Sequence, residues 1–466
     1  MAFDLNKNLR GIAASQVFIG GLIVVILGII AVNVPDAAGA ILVILLLSII
    51  SLAVFRSYTA ETTFVTNVFL VGLALRLAFG LFVHIYDYKD FFGGDALTYD
   101  FRGNILREAW LGYADANPQA YAMASSTAGS GWGMNYLVGL IYLVLGRNIL
   151  AAQSFCAVIG AATAPMVYFC TKRIYHNLQA AKVAAILVAV FPAFVIWSGQ
   201  LLKDGLIIFL LVLAMTMVIE LQERIGIAAV TVLGLSVAGI LTLRFYIFYM
   251  VAIAVVGSFV VGVKNSPGAL VARVAIIVVL GLGLTYVGVI RNASSNLEKF
   301  GTLDRLQISR MDQATRADSG FGADADVSTT SGAISVLPIG LAYLMLAPFP
   351  WEVRNLRQAI TLPEVLAWWA LMPLLFSGLV YSVKHRLRTA MPILIFSLML
   401  TFAYSIFQSN VGTAYRQRTQ IQVFLFIFIA VGWTIWKEKR DDAKLMRRAR
   451  QKRFEAALRG QQEAKL

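Results

Sequence analysis

Residues 11–33 read GIAASQVFIGGLIVVILGIIAVN and contain no charged side chain. A helix of about 20 residues crosses the roughly 30 Å hydrocarbon layer of a bilayer, because each residue adds about 1.5 Å. The backbone inside that layer must bond to itself, and the apolar pattern here has a helical period. The run is too long for a signal peptide, and no small-x-small cleavage site follows a short apolar core. We therefore predict a retained transmembrane helix.

Similar apolar runs recur along the whole chain. Of its 466 residues, 59% are hydrophobic and 14% are charged, whereas soluble domains carry about 25% charged residues. The runs lie at 11–33, 39–55, 63–84, 149–170, 180–198, 204–221, 227–243, 246–263, 269–290, 364–383, 390–408 and 419–436. Composition and pattern together predict an all-α polytopic membrane protein of about twelve transmembrane helices.

A basic segment follows the last apolar run. Residues 437–466 hold eleven Lys and Arg against five Asp and Glu, within a net charge of +14 for the chain. Such a segment beside a membrane is typical of a topology signal that lies on anionic lipid. We therefore predict the lipid bilayer as a partner and no nucleic acid. Cys156 and Cys170 share one apolar run, which excludes a disulfide framework and a zinc site.

The orientation follows from the basic loops, since short loops rich in Lys and Arg face the cytoplasm. Lys7, Arg10 and the basic tail predict that the N- and C-termini are both cytoplasmic, so the number of crossings is even. Segments 132–146 and 335–349 are apolar but short. If both crossed, the basic loop at 172–173 would move outside. We therefore predict a multi-pass protein of the cytoplasmic (inner) membrane, with these two segments as interfacial or re-entrant helices.

The same count of crossings places most of the polar loops on the outer side. These loops are 85–131, 198–204, 244–245, 291–363 and 409–418. The predicted organisation has three parts, namely two leading transmembrane helices in 1–62, a transmembrane catalytic core in 63–436 with outer loops 85–148 and 291–363, and a basic cytoplasmic tail in 437–466. A functional site is therefore expected at the outer membrane face.

Two acidic features lie on that side. Asp95 follows a Gly93-Gly94 turn, where it would either cap the next helix or act as a general base. Lys203 and Asp204 form an ionisable pair between two apolar runs. A pair at this depth is costly, so it indicates either a functional site or two side chains that snorkel to the interface. Both interpretations of each feature stay open at this point.

The outer side also carries basic and aromatic candidates. Arg416 and Arg418 break the charge bias of the other loops, and arginine suits two-pronged binding of phosphate oxygens. Arg244, at an outer turn, is a weaker candidate of the same kind. Trp351 ends the stretch Pro348-Phe349-Pro350-Trp351. Two prolines break a helix, and two aromatic residues suit the membrane interface. The stretch therefore indicates either an interfacial elbow or a lip that guides a lipid tail.

Segment 291–337 is polar and rich in small residues, so we expect a mobile lid or an acceptor-binding loop. Residues 322–326 faintly suggest a cation loop but lack the full spacing of a calcium-binding hand. The cofactor therefore stays open, because a divalent cation is compatible with the outer acids but nothing in the sequence requires one.

Several short motifs occur together on the outer side. They are Gly93–Tyr99, Gly146–Asn148, Phe191-Pro192 leading to Ser198–Asp204, Pro348–Trp351 and Gly412–Arg416. In order and sidedness, they resemble motifs of the GT-C superfamily of integral-membrane glycosyltransferases, particularly the family 39-like and phospholipid-carrier-dependent enzymes. The resemblance spans roughly 63–436 and implies a GT-C-like fold.

The resemblance also implies roles for individual residues. In that family an acid of the first outer loop deprotonates the acceptor, which by position is Asp95, and Asp204 is the second acid. Basic residues bind the lipid phosphate, for which Lys203, Arg244, Arg416 and Arg418 are the candidates. Tyr99, Asp100 and Trp351 complete the predicted substrate-binding set. Residues 131–136 replace the Lys-Pro-Pro-Leu-like stretch common in the family, which leaves the phosphate ligand and the donor sugar undefined.

The predicted function is transfer of a hexose or pentose from a polyprenyl-phosphate donor to a lipid, glycan or protein acceptor. Such a donor carries its own leaving group, so the enzyme must neutralise phosphate charge and remove one proton. A surface-polysaccharide polymerase or ligase is an alternative with similar outer arginines. A secondary transporter is the less favoured alternative, because the ionisable residues gather at one face rather than at the midplane.

Overall fold

The computed structural model describes residues 14–35, 37–113, 118–261, 267–316 and 319–463. The regular structure in these ranges is helical, apart from one isolated antiparallel bridge between Gly320 and Asn410. The first ten helices are α1 (Ala14–Asn33), α2 (Ala37–Ser57), α3 (Thr62–Ile85), α4 (Lys89–Gly93), α5 (Asp95–Trp110), α6 (Pro118–Ser125), α7 (Trp132–Leu145), α8 (Ile149–Tyr175), α9 (Leu178–Val190) and α10 (Pro192–Ser198). The next ten are α11 (Lys203–Glu223), α12 (Ile227–Leu243), α13 (Phe245–Val261), α14 (Pro267–Tyr286), α15 (Val289–Phe300), α16 (Leu303–Arg316), α17 (Thr330–Leu346), α18 (Leu356–His385), α19 (Leu387–Phe407) and α20 (Val411–Glu463).

Eight of the described helices are long and apolar enough to cross a membrane, namely α1, α2, α3, α8, α11, α18, α19 and α20. The number rises to ten if α9 with α10 and α14 with α15 each form one span, bent by 54° and 79°. The predicted polytopic all-α fold is therefore confirmed. The predicted count of twelve is not confirmed, because α12 and α13 have 17 residues each, the same length as α17, for which no crossing is predicted.

The bend between α9 and α10 occurs at Pro192, which has no backbone N–H to give to the carbonyl of Val188. The buried guanidinium of Arg76, from α3, takes its place. It donates to the carbonyl oxygens of Val188 over 3.3 Å and Ala189 over 3.1 Å. Its Nε donates to Ser198 Oγ over 2.7 Å, at the end of α10. Arg76 therefore positions the turn that leads into α11.

Helices α18 and α20 pack together through two glycines. A Cβ added to Gly378 would overlap the carbonyl oxygen of Phe428, and one added to Gly432 would overlap that of Leu374. Small residues of this kind allow membrane helices to approach until their backbones touch. The contact sets the spacing of the two helices whose N-terminal ends carry much of the site described below.

The segment after α14 is largely helical. Residues 291–337, for which we predict a mobile lid or an acceptor-binding loop, include most of α15, all of α16 and the start of α17. Buried Ala293 and Asn296 are three residues apart on α15, as on one face of a helix. Farther along, Arg310 of α16 donates to the carbonyl oxygens of Ile406 and Gln408 over 2.7 and 3.1 Å. Helix α16 is therefore held against the end of α19.

Candidate active site

A cavity of about 650 Å³ lies where the ends of several helices meet. Four of the predicted site residues line it, namely Asp95, Lys203, Arg244 and Arg416. They come from the start of α5, the start of α11, the turn between α12 and α13, and the start of α20. Loops that the count of crossings predicts to lie on one side of the membrane therefore meet in one place.

Asp204 lies behind this cavity with 0% of its surface exposed. Its Oδ1 accepts a hydrogen bond from Arg244 Nη2 over 3.0 Å, and its Oδ2 accepts from Arg416 Nε over 2.7 Å. The two arginines thus hold opposite oxygens of one carboxylate in charge-assisted bonds. The interpretation of Lys203 and Asp204 as a snorkelling pair is wrong, because Asp204 is buried and pairs with arginines. Its burial suits holding these side chains rather than touching a substrate.

Asp95 is the first residue of α5, and Gly94 precedes it as the cap residue without a side-chain cap bond. The capping interpretation of Asp95 is therefore wrong. Its Oδ2 instead accepts from Arg416 Nη1 over 2.9 Å. The side chain is 50% exposed and lines the cavity. A carboxylate paired on one side and open on the other is suited to accept a proton from a bound hydroxyl.

Arg416 therefore contacts both acids. Its guanidinium also lies over the ring of Trp197, 5.3 Å from the centroid, in a cation–π contact. Lys203 lines the same wall and forms no ion pair with another of the described residues. The cavity thus offers one unpaired ammonium group beside a guanidinium that is fixed in position.

Gly131, with φ of +90°, makes room beside this lysine. A Cβ at that position would lie 2.8 Å from Lys203 Nζ and 3.1 Å from the hydroxyl of Tyr99. Burial, together with the nearby Asp95 carboxylate, raises the pKa of Tyr99 above its usual range. Tyr99 therefore stays a neutral phenol, which can donate a hydrogen bond close to the ammonium group.

Four predicted substrate-binding residues lie outside the cavity lining, namely Tyr99, described above, and Asp100, Arg418 and Trp351. Arg418 is buried and donates to the carbonyl oxygens of Met345 and Ala347 over 3.1 and 3.0 Å. Arg418 follows Arg416 by two positions, so its side chain leaves α20 about 200° around the helix axis from that of Arg416. Asp100 pairs instead with Arg147 over 2.6 Å. Trp351 is exposed and stacks on Phe349, with the ring centroids 5.2 Å apart.

The comparison with protein families supports the predicted resemblance. Residues 113–287 match the family of dolichyl-phosphate-mannose-protein mannosyltransferases. The resemblance is confirmed over this stretch. It contains Lys203, Asp204 and Arg244, whereas Asp95 and Arg416 lie outside it. No curated protein has a significantly similar sequence.

Three solved structures are similar to the chain. ArnT from Cupriavidus metallidurans, bound to undecaprenyl phosphate, has a TM-score of 0.44 and 14% identity, covering 74% of this chain and 60% of that one. The Archaeoglobus fulgidus oligosaccharyltransferase in the apo form has 0.49 and 14%, covering 84% and 52%. AglB from Archaeoglobus fulgidus, with an inhibitory peptide and a dolichol-phosphate, has 0.43 and 13%, covering 76% and 47%. This chain spans between about half and three fifths of their lengths.

The structure also shows site residues that the sequence did not single out. Glu364 is a buried carboxyl group whose Oε2 accepts from the hydroxyl of Tyr415, a cavity residue, over 2.6 Å. Like Arg76, it is a charged residue type within an apolar run, which is a usable signal. Asn355, Gln358 and Asn410 line the cavity but are common polar residues without such a signal. The described residues contain no group of three or more His, Cys, Asp or Glu that could hold a metal ion.

Proposed function

We propose that the chain is a membrane glycosyltransferase that moves a hexose or pentose from a polyprenyl-phosphate donor to an acceptor hydroxyl. The proposed reaction takes place at the outer face of the cytoplasmic membrane, with both termini in the cytoplasm. The observation that carries the proposal is the contact of Arg416 with both Asp95 and Asp204 beside the unpaired Lys203. A base and cations for a phosphate thus occupy one cavity, and part of the chain matches a mannosyltransferase family.

In the proposed reaction, the acceptor oxygen bonds to the anomeric carbon while the bond from that carbon to the phosphate oxygen breaks. Asp95 takes the acceptor proton, and polyprenyl phosphate leaves with the electron pair of the broken bond. Lys203 and the positive charge of Arg416 stabilise the phosphate charge that develops. Asp204 keeps Arg416 and Arg244 in place, which is preorganisation rather than proton transfer.

The test uses the purified full chain in lipid nanodiscs with a radiolabelled polyprenyl-phosphate sugar. We expect saturable binding of the lipid and, with an acceptor mixture from a membrane extract, release of polyprenyl phosphate. A transporter would move the lipid or another solute without breaking the sugar–phosphate bond. Failure to bind any polyprenyl-phosphate sugar, by protein that is shown to be folded, would contradict the proposal.

A further inference from the structure

One part of the cavity wall is made of carboxamide side chains. Asn355 and Gln358 belong to the start of α18, and Asn410 directly precedes α20. None of these residues belongs to the group of acids and cations around Arg416. The cavity lining therefore also contains neutral hydrogen-bonding groups, and these three residues are called the carboxamide wall below.

The orientation of each amide is determined by a backbone N–H. The N–H of Gln358 donates to Asn355 Oδ1 over 3.0 Å, and the N–H of Arg354 donates to Gln358 Oε1 over 2.7 Å. The N–H of Thr413 donates to Asn410 Oδ1 over 3.1 Å. A backbone N–H can only donate, so the accepting atom must be the amide oxygen.

The other end of each amide is consequently an NH₂ group. None of the three NH₂ groups forms a hydrogen bond within the part of the chain that the structure describes. Each carries two donor hydrogens, so the three neutral amides present six donor hydrogens to the cavity. A ligand that fits it must bring hydrogen-bond acceptors.

Arg357 adds a positive charge to the same wall. Its Nη2 donates to the carbonyl oxygen of Asp90 over 3.3 Å, and its guanidinium lies over the ring of Phe91, 5.0 Å from the centroid. It forms no ion pair with a carboxylate among the described residues. Among the described residues, Asp95 is the one carboxylate in the cavity lining, and it is bound to Arg416. The wall therefore favours a ligand that carries a negative group.

We propose that Asn355, Gln358 and Asn410 form, together with Arg357, a binding site for an acidic saccharide, a sugar that carries a carboxylate. Ring oxygens, glycosidic oxygens and hydroxyl groups accept hydrogen bonds from the amides, and the carboxylate binds Arg357. A peptide fits less well, because it presents as many N–H groups as carbonyl groups and its N–H groups would find few acceptors here. The inference rests on the proposed function, in which a saccharide is either the group transferred or part of the acceptor.

The test compares a uronic-acid disaccharide with its carboxyl-reduced counterpart in binding to the purified full chain. We expect the acidic probe to bind about ten- to a hundredfold more tightly, as for one hydrogen-bonded charge. Arg357→Gln should remove this preference. Asn410→Asp keeps the oxygen that Thr413 needs but replaces the NH₂ group by a negative oxygen, so it should weaken the acidic probe at least as much. Asn355→Ser removes one NH₂ group but keeps a side-chain oxygen that can cap α18. It therefore tests the loss of one donor group without a change in charge.

A second arm compares polyprenyl-phospho-uronate with polyprenyl-phospho-glucose. Preference for the free acidic disaccharide assigns the site to the acceptor, and preference only between the two lipids assigns it to the sugar of the donor. If the acidic and neutral probes bind equally in both arms, and the protein still binds the lipid phosphate, the inference is contradicted. Loss of lipid-phosphate binding by the wild-type protein would instead contradict the proposed function.

Discussion

Asp95 and Arg416 lie 321 positions apart in the chain, yet Arg416 Nη1 donates to Asp95 Oδ2 over 2.9 Å. The bond joins the start of α5 to the start of α20. Arg416 also holds Asp204, at the start of α11, so one guanidinium connects three distant parts of the chain. The candidate site therefore exists only when the first and last outer loops meet.

Replacement of Asp95 by Asn should remove the proposed base without unfolding the protein. We expect at least about a hundredfold loss of transfer, since general base catalysis contributes about 10²–10⁴-fold. The half-exposed ion pair adds at most about 1 kcal/mol to stability, so the unfolding temperature should change little. Asp90→Asn, in the same loop, is the matched control and should stay active. Normal transfer by Asp95→Asn would reduce this carboxylate to a partner of Arg416.

Replacement of Asp204 by Asn should act on stability. Removal of one partner from a buried ion pair costs about 3–5 kcal/mol, and here two arginines lose their shared carboxylate. We expect a clear fall in the unfolding temperature in detergent, much larger than for Asp95→Asn. Equal unfolding temperatures for the two variants would show that Asp204 is not needed to hold the arginines.

The two arginines of α20 should respond differently to lysine. Arg416→Lys keeps the charge but loses the fork of donors, and we expect about ten- to a hundredfold weaker binding of a polyprenyl-phosphate analogue. Arg418→Lys should leave binding by the folded protein unchanged and lower its unfolding temperature, because Met345 and Ala347 lose a donor. Weaker analogue binding by folded Arg418→Lys would place Arg418 in the phosphate site after all.

The contact of Arg76 with the break at Pro192 can be tested with a double-mutant cycle. Arg76→Met leaves the carbonyl oxygens of Val188 and Ala189 unpaired, at about 1–3 kcal/mol for each buried group. Pro192→Ala restores a backbone N–H that can reach Val188. We therefore expect the double variant to be more stable than the sum of the single effects predicts. Simple additivity in thermal unfolding would contradict this role of Arg76.

The predicted orientation can be checked by cysteine labelling. With an impermeant reagent, Cys at position 128 or 328 should react from outside intact cells, and Cys at position 443 should not. The native residues there are Ala128, Ser328 and Ala443. The wild-type cysteines are both buried, so they should add little background. Protection of both loop positions together with labelling of the tail would invert the topology.

The helices and the gathering of the outer loops were predictable because run length and loop charge act locally. The pairing of side chains within the site could not be predicted. Lys203 and Asp204 are neighbours in the sequence, but adjacent positions on a helix diverge by about 100°. Asp204 pairs with Arg244, from the turn between α12 and α13, and with Arg416 of α20. Glu364 and Arg76 were detectable as charged residues in apolar runs. Their partners depend on packing between helices, which a single sequence does not show.

The glycine contact between α18 and α20 has a consequence for the cavity, whose carboxamide wall and Arg416 these two helices carry. Gly378 is about 20 residues beyond Gln358, or about 30 Å along the helix. The two helices thus touch backbone to backbone far from the cavity, and they touch again near it, where the Tyr415 hydroxyl donates to Glu364 Oε2 over 2.6 Å. A methyl group at Gly378 would overlap the carbonyl oxygen of Phe428, so the helices could accept it only by moving apart. A residue that lines no part of the cavity thereby constrains where two of its walls stand.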